Sequence, residues 1–269
     1  MATDNYFNNK VTWITGASSG IGEALAYALS AVGGRLILSG RRTNELERVK
    51  QACSDPSQVI LLQLDLADAD SLEGKVNDAV KCFGHIDIMA HNGGITQRSL
   101  VIETGMEVHR RMMEVDYFSY VALTKALLPH FVERKAGHFV VTSSVMGKIG
   151  TPMRSAYAAA KHALHGFFDC LRAEVAADNI KVTILTPGYI RTNISLYALT
   201  KTPYGLGKPS ENIENGYPAD RAAIQILKAI KKGAFEPYIG RFSGERIVLW
   251  IKRLAPGVLT RMTPKLVPK

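Results

Sequence analysis

Three side chains in this chain have the types and spacing for acid–base chemistry on a small substrate: Ser144, Tyr157 and Lys161. Tyr157 and Lys161 stand four residues apart, which on a helix puts them on one face, one turn from each other. A phenol is a poor proton carrier at neutral pH, but a nearby ammonium favours its ionised form and makes it usable as an acid or base. Lys161 can supply that charge. Ser144 ends the strand-like run HFVVTSS, where its hydroxyl can bond a carbonyl or alcohol oxygen that also reaches Tyr157. On its own the Tyr/Lys pair is equally compatible with a solvated helix face.

The elements around these residues follow from hydrophobic periodicity. Residues 155–178 read as the helix carrying Tyr157 and Lys161, with Leu164, Phe167, Phe168, Leu171 and Val175 at helical period. Strands are expected at Lys10–Thr15, Arg35–Gly40, Gln58–Leu64, Ile86–Ala90, His138–Ser143, Ile180–Thr186 and Pro237–Gly240. A long helix is expected from about Gly105 to Arg134, and another over Arg221–Lys232. Strands alternating with helices predict an α/β fold: a Rossmann-type, doubly wound parallel sheet in a single domain, helices on both faces. Right-handed crossovers then bring the strand ends to one edge, where ligands bind.

A dinucleotide is the ligand this order points to. The first strand runs straight into Gly16-Ala17-Ser18-Ser19-Gly20-Ile21-Gly22 and then a helix, the context in which a glycine trio holds a pyrophosphate at a helix N-terminus. Gly16 is expected to allow the turn, Gly20 a close approach of backbone to phosphate, and Gly22 tight packing of helix on strand. Where the second strand ends, a carboxylate would favour NAD; this chain has Gly40-Arg41-Arg42. Arg41 and Arg42, with the Ser18 hydroxyl, can clamp a 2′-phosphate, which points to NADP(H); the alternative is two solvated arginines opening a helix. Asp65, followed by Leu66, can accept from an adenine amino group or cap the next helix. Asn92 and Gly93 end the fourth strand, where small residues let the chain pass beside the cofactor ribose.

Taken together these residues resemble the short-chain dehydrogenase/reductase family, in its typical NADP-preferring subgroup, from about Lys10 to Gly240. The Thr15-Gly16-x-x-x-Gly20-x-Gly22 motif, Ser144 and Tyr157-x-x-x-Lys161 occur in the family's order and spacing. The resemblance implies that Tyr157 is the general acid/base, that Lys161 tunes it and holds the nicotinamide ribose, and that Ser144 orients the substrate oxygen. It implies that Pro187, Gly188, Ile190 and Thr192 contact the nicotinamide end, alongside cofactor contacts from Ser19 and Ile21. Two departures stand out. The family's Asn-Asn-Ala-Gly is His91-Asn92-Gly93-Gly94 here, and its catalytic Asn is replaced by Asp116. Asp116 can serve through its backbone carbonyl alone, or its carboxylate can pair with Lys161 and move the pH optimum upward. Within the family, the chain looks most like the hydroxysteroid-dehydrogenase-like and lipid-acting branch, with Val145, Met146, Met153 and Tyr189 as pocket candidates.

The implied activity is NADP-dependent oxidoreduction at CH–OH, interconverting a ketone or aldehyde and an alcohol, with a steroid- or lipid-like substrate as the expected class. The competing classes are a non-catalytic dinucleotide sensor and a membrane-surface adaptor of the same fold. Composition narrows the partners. The net charge is +9, but basic residues are scattered without an aromatic-interleaved stripe, so no nucleic-acid partner is expected. The three cysteines and seven histidines lack metal-ligand spacing, so no metal is expected. No signal core or spanning run is present, which predicts a cytoplasmic protein. Surplus apolar residues on the two long helices predict a homodimer or homotetramer. The domain is expected over 1–240, with a loop over the site at 195–220, and a basic tail at 241–269. In that tail Ile247, Trp250, Ile251 and Leu254 fall at helical spacing beside Arg246, Lys252 and Arg253, a run that Pro256 should end. Such a helix can lie in a membrane interface, or pack its stripe on the core or on a second subunit.

Overall fold

The computed structural model describes residues 5–203, 210–242 and 244–265. Its centre is a seven-stranded sheet in the order β3-β2-β1-β4-β5-β6-β7, parallel at every pairing. The strands are β1 (Val11–Thr15), β2 (Arg35–Gly40), β3 (Val59–Gln63), β4 (Ile88–His91), β5 (Gly137–Thr142), β6 (Ile180–Pro187) and β7 (Tyr238–Ile239). All seven expected strands are present, with ends moved by one or two residues, as terminal hydrogen bonds commonly are.

Alternation along each strand builds two cores. Trp13, Ile37, Met89 and Phe139 pack on one face, beneath α3 (Leu72–Phe83), α5 (Ser119–Arg134) and α6 (Ser155–Glu174). Ile14, Leu36, Leu38 and Val140 pack on the other, beneath α1 (Gly20–Ser30), α2 (Thr43–Gln51) and α8 (Ala219–Lys232). Strands buried on both faces read as largely apolar runs, and in VTWIT and RLILS the polar Thr12, Thr15 and Ser39 are fully buried with them. The strand order reverses between β1 and β4, opening a crevice at their carboxyl ends.

Two expectations about the helices change. The long helix does not run unbroken from Gly105: α4 (Met106–Met113) passes through a five-residue π turn, Glu114–Phe118, before α5. The Tyr157 helix ends at Glu174, and Ala176–Asp178 form a separate 3-10 turn. Pro256 ends the Ile247–Leu254 run as expected, but the helical tail continues beyond it. Pro256 opens a second helix, because a proline in the first turn lacks only an N–H that would be unpaired there anyway; α9 (Gly244–Leu254) is followed by α10 (Pro256–Met262). The expected loop at 195–220 contains a 3-10 turn at Ile194–Tyr197 and the short helix α7 (Glu211–Glu214), while residues 204–209 of it lie outside the described residues.

Candidate active site

The crevice opens into a cavity of about 1520 Å³ along the carboxyl edge of the sheet. Ser144, Tyr157, Lys161 and Asp116 all line it. Ser144 stands at the end of β5, where its Oγ accepts the Met146 N–H at 3.1 Å and holds the Val145–Gly147 turn in place. That bond occupies a lone pair and leaves the hydroxyl proton for a ligand. α6 presents Tyr157 in its first turn and Lys161 one turn later. Lys161 is buried. Its Nζ donates to Thr142 O at 3.2 Å, lies 3.1 Å from Asp116 Oδ2, and sits 5.7 Å from the Tyr157 ring centre.

Asp116 owes its position to the π turn, a break in helical geometry that frequently accompanies function. Fully buried, it accepts the Ile95 N–H at 2.8 Å through Oδ1 while Oδ2 faces Lys161. Burial pushes its carboxyl above the usual carboxylate range, and Lys161 and the Ile95 N–H only partly oppose this. Burial would lower the Lys161 ammonium, but Asp116 outweighs it and keeps that group charged well into the alkaline range. Of the two readings open for Asp116, the geometry shows the carboxylate paired with the lysine.

The remaining wall has the shape of a dinucleotide cradle. Gly16, at φ +66°, packs so tightly on the β4 end that a Cβ there would sit 2.5 Å from Gly93 Cα. Ser19 at the N-cap of α1 makes no side-chain cap bond, so the helix meets the cavity with free amide groups. Ser18, Ser19, Gly20 and Ile21 line the wall, whereas Gly22 lies behind it against Gly16 O, as a packing residue. Arg41, Arg42 and Asp65 mark the far end; Arg42 Nη2 reaches Ser18 Oγ at 3.4 Å, and Asp65 Oδ1 accepts the Ala67 N–H at 3.0 Å. Leu66, Asn92 and Gly93 also line the cavity, as do Pro187, Gly188, Ile190 and Thr192 at and after the end of β6, with Thr192 close beside Gly20. Asn92 is as much a clip as a contact: its Nδ2 donates to Thr15 O and Gly16 O, and its Oδ1 accepts from Thr142 Oγ1 at 3.3 Å, tying β1, β4 and β5 together. His91, beside it, is wholly buried, stacked on Tyr120 and bonded to Thr124 Oγ1 at 2.9 Å.

On the substrate side Val145, Met146 and Tyr189 line the cavity, but Met153 does not; at φ +65° its backbone turns to give its carbonyl to Ser99 N. Sequence reasoning missed Arg154, and it read the tail's stripe without placing it in the cavity wall. Ile247, Val248, Ile251 and Met262 reach the cavity, and Val248 and Leu259 pack on Val145 and Ile149 just after Ser144. The i, i+3, i+4 stripe is therefore split, with Ile251 turned inward and Trp250 and Leu254 left 58% and 74% exposed.

The short chain dehydrogenase family matches residues 10–201. The chain belongs to that family. A short-chain dehydrogenase of this kind is an oxidoreductase by family, and its relatives extend past the matched region. A dehydrogenase/reductase SDR family protein 7-like of Anopheles gambiae is 45% identical, over 94% of this chain and 81% of that protein. Dehydrogenase/reductase SDR family member 7B of Mus musculus is 40% identical, over 96% and 81%. Among solved structures, a short-chain dehydrogenase from Streptomyces avermitilis superposes with a TM-score of 0.80 at 31% identity, covering 95% of this chain and 96% of that one. No described helix of this short-chain dehydrogenase is long and apolar enough to cross a membrane.

Proposed function

We propose that this short-chain dehydrogenase is an NADP(H)-dependent oxidoreductase that interconverts a ketone or aldehyde and the corresponding alcohol on a lipophilic substrate. The observation that carries this reading is the layout of one cavity, with Ser144, Tyr157 and Lys161 at one end and Arg41, Arg42 and uncapped α1 amides at the other. The residues fit a nicotinamide dinucleotide: the turn at Gly16 packs on Gly93 too closely for any Cβ, and no carboxylate stands at the end of β2 to repel a 2′-phosphate. NADP(H), when bound, supplies or takes the hydride.

The chain's own residues would manage the oxygen. In reduction the Tyr157 hydroxyl gives its proton to the carbonyl oxygen, and in oxidation it removes one from the alcohol. The Ser144 hydroxyl donates to the same oxygen and fixes its direction, a preorganised contact that strengthens as negative charge develops there. Lys161, held charged beside Asp116, stabilises the ionised form of Tyr157 and keeps one ammonium donor for a ribose hydroxyl. Apolar residues on the substrate side, Val145, Ile149, Leu199 and Ile251 among them, favour a substrate with a hydrocarbon body. Exposed Trp250 and Leu254, beside basic Lys252 and Arg253, favour peripheral contact of the tail with an anionic membrane.

The test is titration of NADPH and NADH against wild type, Arg41→Ala and Arg42→Ala by protein fluorescence. A strong preference for NADPH that falls at least tenfold in either variant supports the reading. Equal binding of both dinucleotides sinks the phosphate clamp, and binding of neither sinks the enzyme.

A further inference from the structure

Arg154 lies at the N-cap of α6, just short of one turn before Tyr157, and its side chain forms part of the cavity wall. It is only 7% exposed. Both protons of Nη1 are used, on Thr96 Oγ1 at 2.9 Å and Gln97 O at 3.0 Å. The other edge of the guanidinium, Nε and Nη2, makes no hydrogen bond among the described residues. Among the described residues no carboxylate forms an ion pair with it. The ionisable groups that act on Arg154 are Tyr157, Tyr189 and Arg98, and the last is another cation. The four carboxylates on the cavity wall are turned elsewhere: Asp116 to Lys161 and Ile95 N, Glu245 to Tyr189 N, Asp65 to Ala67 N, and Glu107 back over Gly105.

A buried cation without a counter-charge is costly, and a guanidinium cannot escape that cost by losing its proton, even though burial lowers its affinity for one. The bonds to Thr96 and Gln97 do not require a charge, since a neutral amide could donate them. The unused Nε–Nη2 edge is the planar fork that grips a carboxylate or a phosphate with two parallel bonds. The first turn of α6 adds the positive end of a helix at the same place.

We propose that Arg154 is the oxyanion-binding residue of the substrate pocket, so that the carbonyl substrate carries a carboxylate or phosphate group near its reacting carbon and an apolar body along Val145, Ile149 and Ile251. The placement of the reacting carbon rests on the oxidoreductase reading above; the anion site itself does not.

The probes are octanoate, octyl phosphate and 1-octanol, titrated by calorimetry into the protein with and without saturating NADP+. Wild type should bind one or both anions at least tenfold more tightly than the alcohol, and the tighter anion identifies the group. Arg154→Met should remove that preference and leave 1-octanol affinity in place. Arg154→Gln, which can keep the bonds to Thr96 and Gln97, should do the same and guards against a folding defect, while Arg154→Lys should keep part of the preference. A preference that survives in the Met and Gln variants, or no preference in wild type, overturns the site. Turnover of 2-oxooctanoate, which carries a carboxylate beside its carbonyl, and of octanal, which carries none, is measured with NADPH on the same wild-type preparation. Absence of turnover with anion preference intact overturns the oxidoreductase reading and leaves the Arg154 site supported.

Discussion

Asp116 and Lys161 form a buried ion pair, with Oδ2 3.1 Å from Nζ and Nζ 5.7 Å from the centre of the Tyr157 ring. A neutral residue at position 116 would leave the full charge of Lys161 acting on Tyr157, whereas here a carboxylate offsets part of it. Asp116→Asn therefore makes the ionised hydroxyl easier to form. The acid limb of the pH–rate profile for alcohol oxidation should move to lower pH by roughly 1 unit. Losing the pair's Coulomb energy should also lower stability, by up to roughly 3 kcal/mol. A profile that coincides with wild type, in a variant that is folded at the assay temperature, would show that the pair does not govern proton transfer.

The cradle makes a second prediction. Gly16 occupies the left-handed region, where a Cβ alone costs about 1–2 kcal/mol, and that Cβ would also press on Gly93 Cα at 2.5 Å. Gly16→Ala must push β1 and β4 apart at the crevice or distort the turn into α1. Dinucleotide affinity should fall at least tenfold, and thermal melting should show a loss of about 2 kcal/mol or more. Gly74→Ala, where a Cβ meets nothing within 4 Å, is the control and should bind cofactor normally.

These two positions show what the sequence could and could not reveal. The strands were readable because each is an apolar run bounded by turn residues, and the glycine turn because its spacing is fixed by a strand-to-helix corner. Ser144, Tyr157 and Lys161 reach one cavity because a parallel sheet brings strand ends together, so order along the chain predicted proximity in space. The π turn was not readable, since EVDYF has no local mark of a widened helix. Arg154 was missed because a lone arginine before a helix resembles any solvated one; only its burial without a carboxylate separates it. The tail was half readable. Its amphipathic period was plain, but which side faces the cavity depends on Val145 and Ile149, which lie about a hundred residues earlier.

That split tail leads to a third prediction. Val248 and Leu259 hold α9 and α10 to the body, so Trp250 and Leu254 can meet a lipid surface without the tail unfolding. Full-length protein should float with vesicles containing phosphatidylserine and less well with neutral ones, since nearby Lys252 and Arg253 each add about 1 kcal/mol near an anionic surface. The double substitution Trp250→Glu, Leu254→Glu should abolish flotation while leaving the melting temperature within a degree or two. Flotation that persists in that variant would assign the exposed face to another role, such as contact with a second copy of the chain.

The last prediction concerns acid. His91 and His138 are buried as neutral rings, each with Nε2 bonded to a threonine hydroxyl, Thr124 and Thr183, and Nδ1 without a partner. Burial holds both pKa values down to about 3. Unfolded, the same rings titrate near ~6.5. Between these values the unfolded chain binds more protons than the folded one, so stability falls as pH falls. The contribution is complete above the unfolded value and is lost progressively below it. Each ring should cost roughly 2 kcal/mol of stability between pH 7 and pH 5. Asp87 belongs to a lower window: burial opposes its charge, but the Val11 N–H and Arg134 outweigh it and hold its carboxyl low, so its contribution is lost only as pH falls through the carboxylate range. Urea melts of wild type and His138→Gln at pH 7, 6 and 5 separate these effects. The variant should start less stable and lose less on acidification, by roughly 2 kcal/mol over the interval. Parallel slopes for the two proteins would mean that His138 does not carry this acid sensitivity.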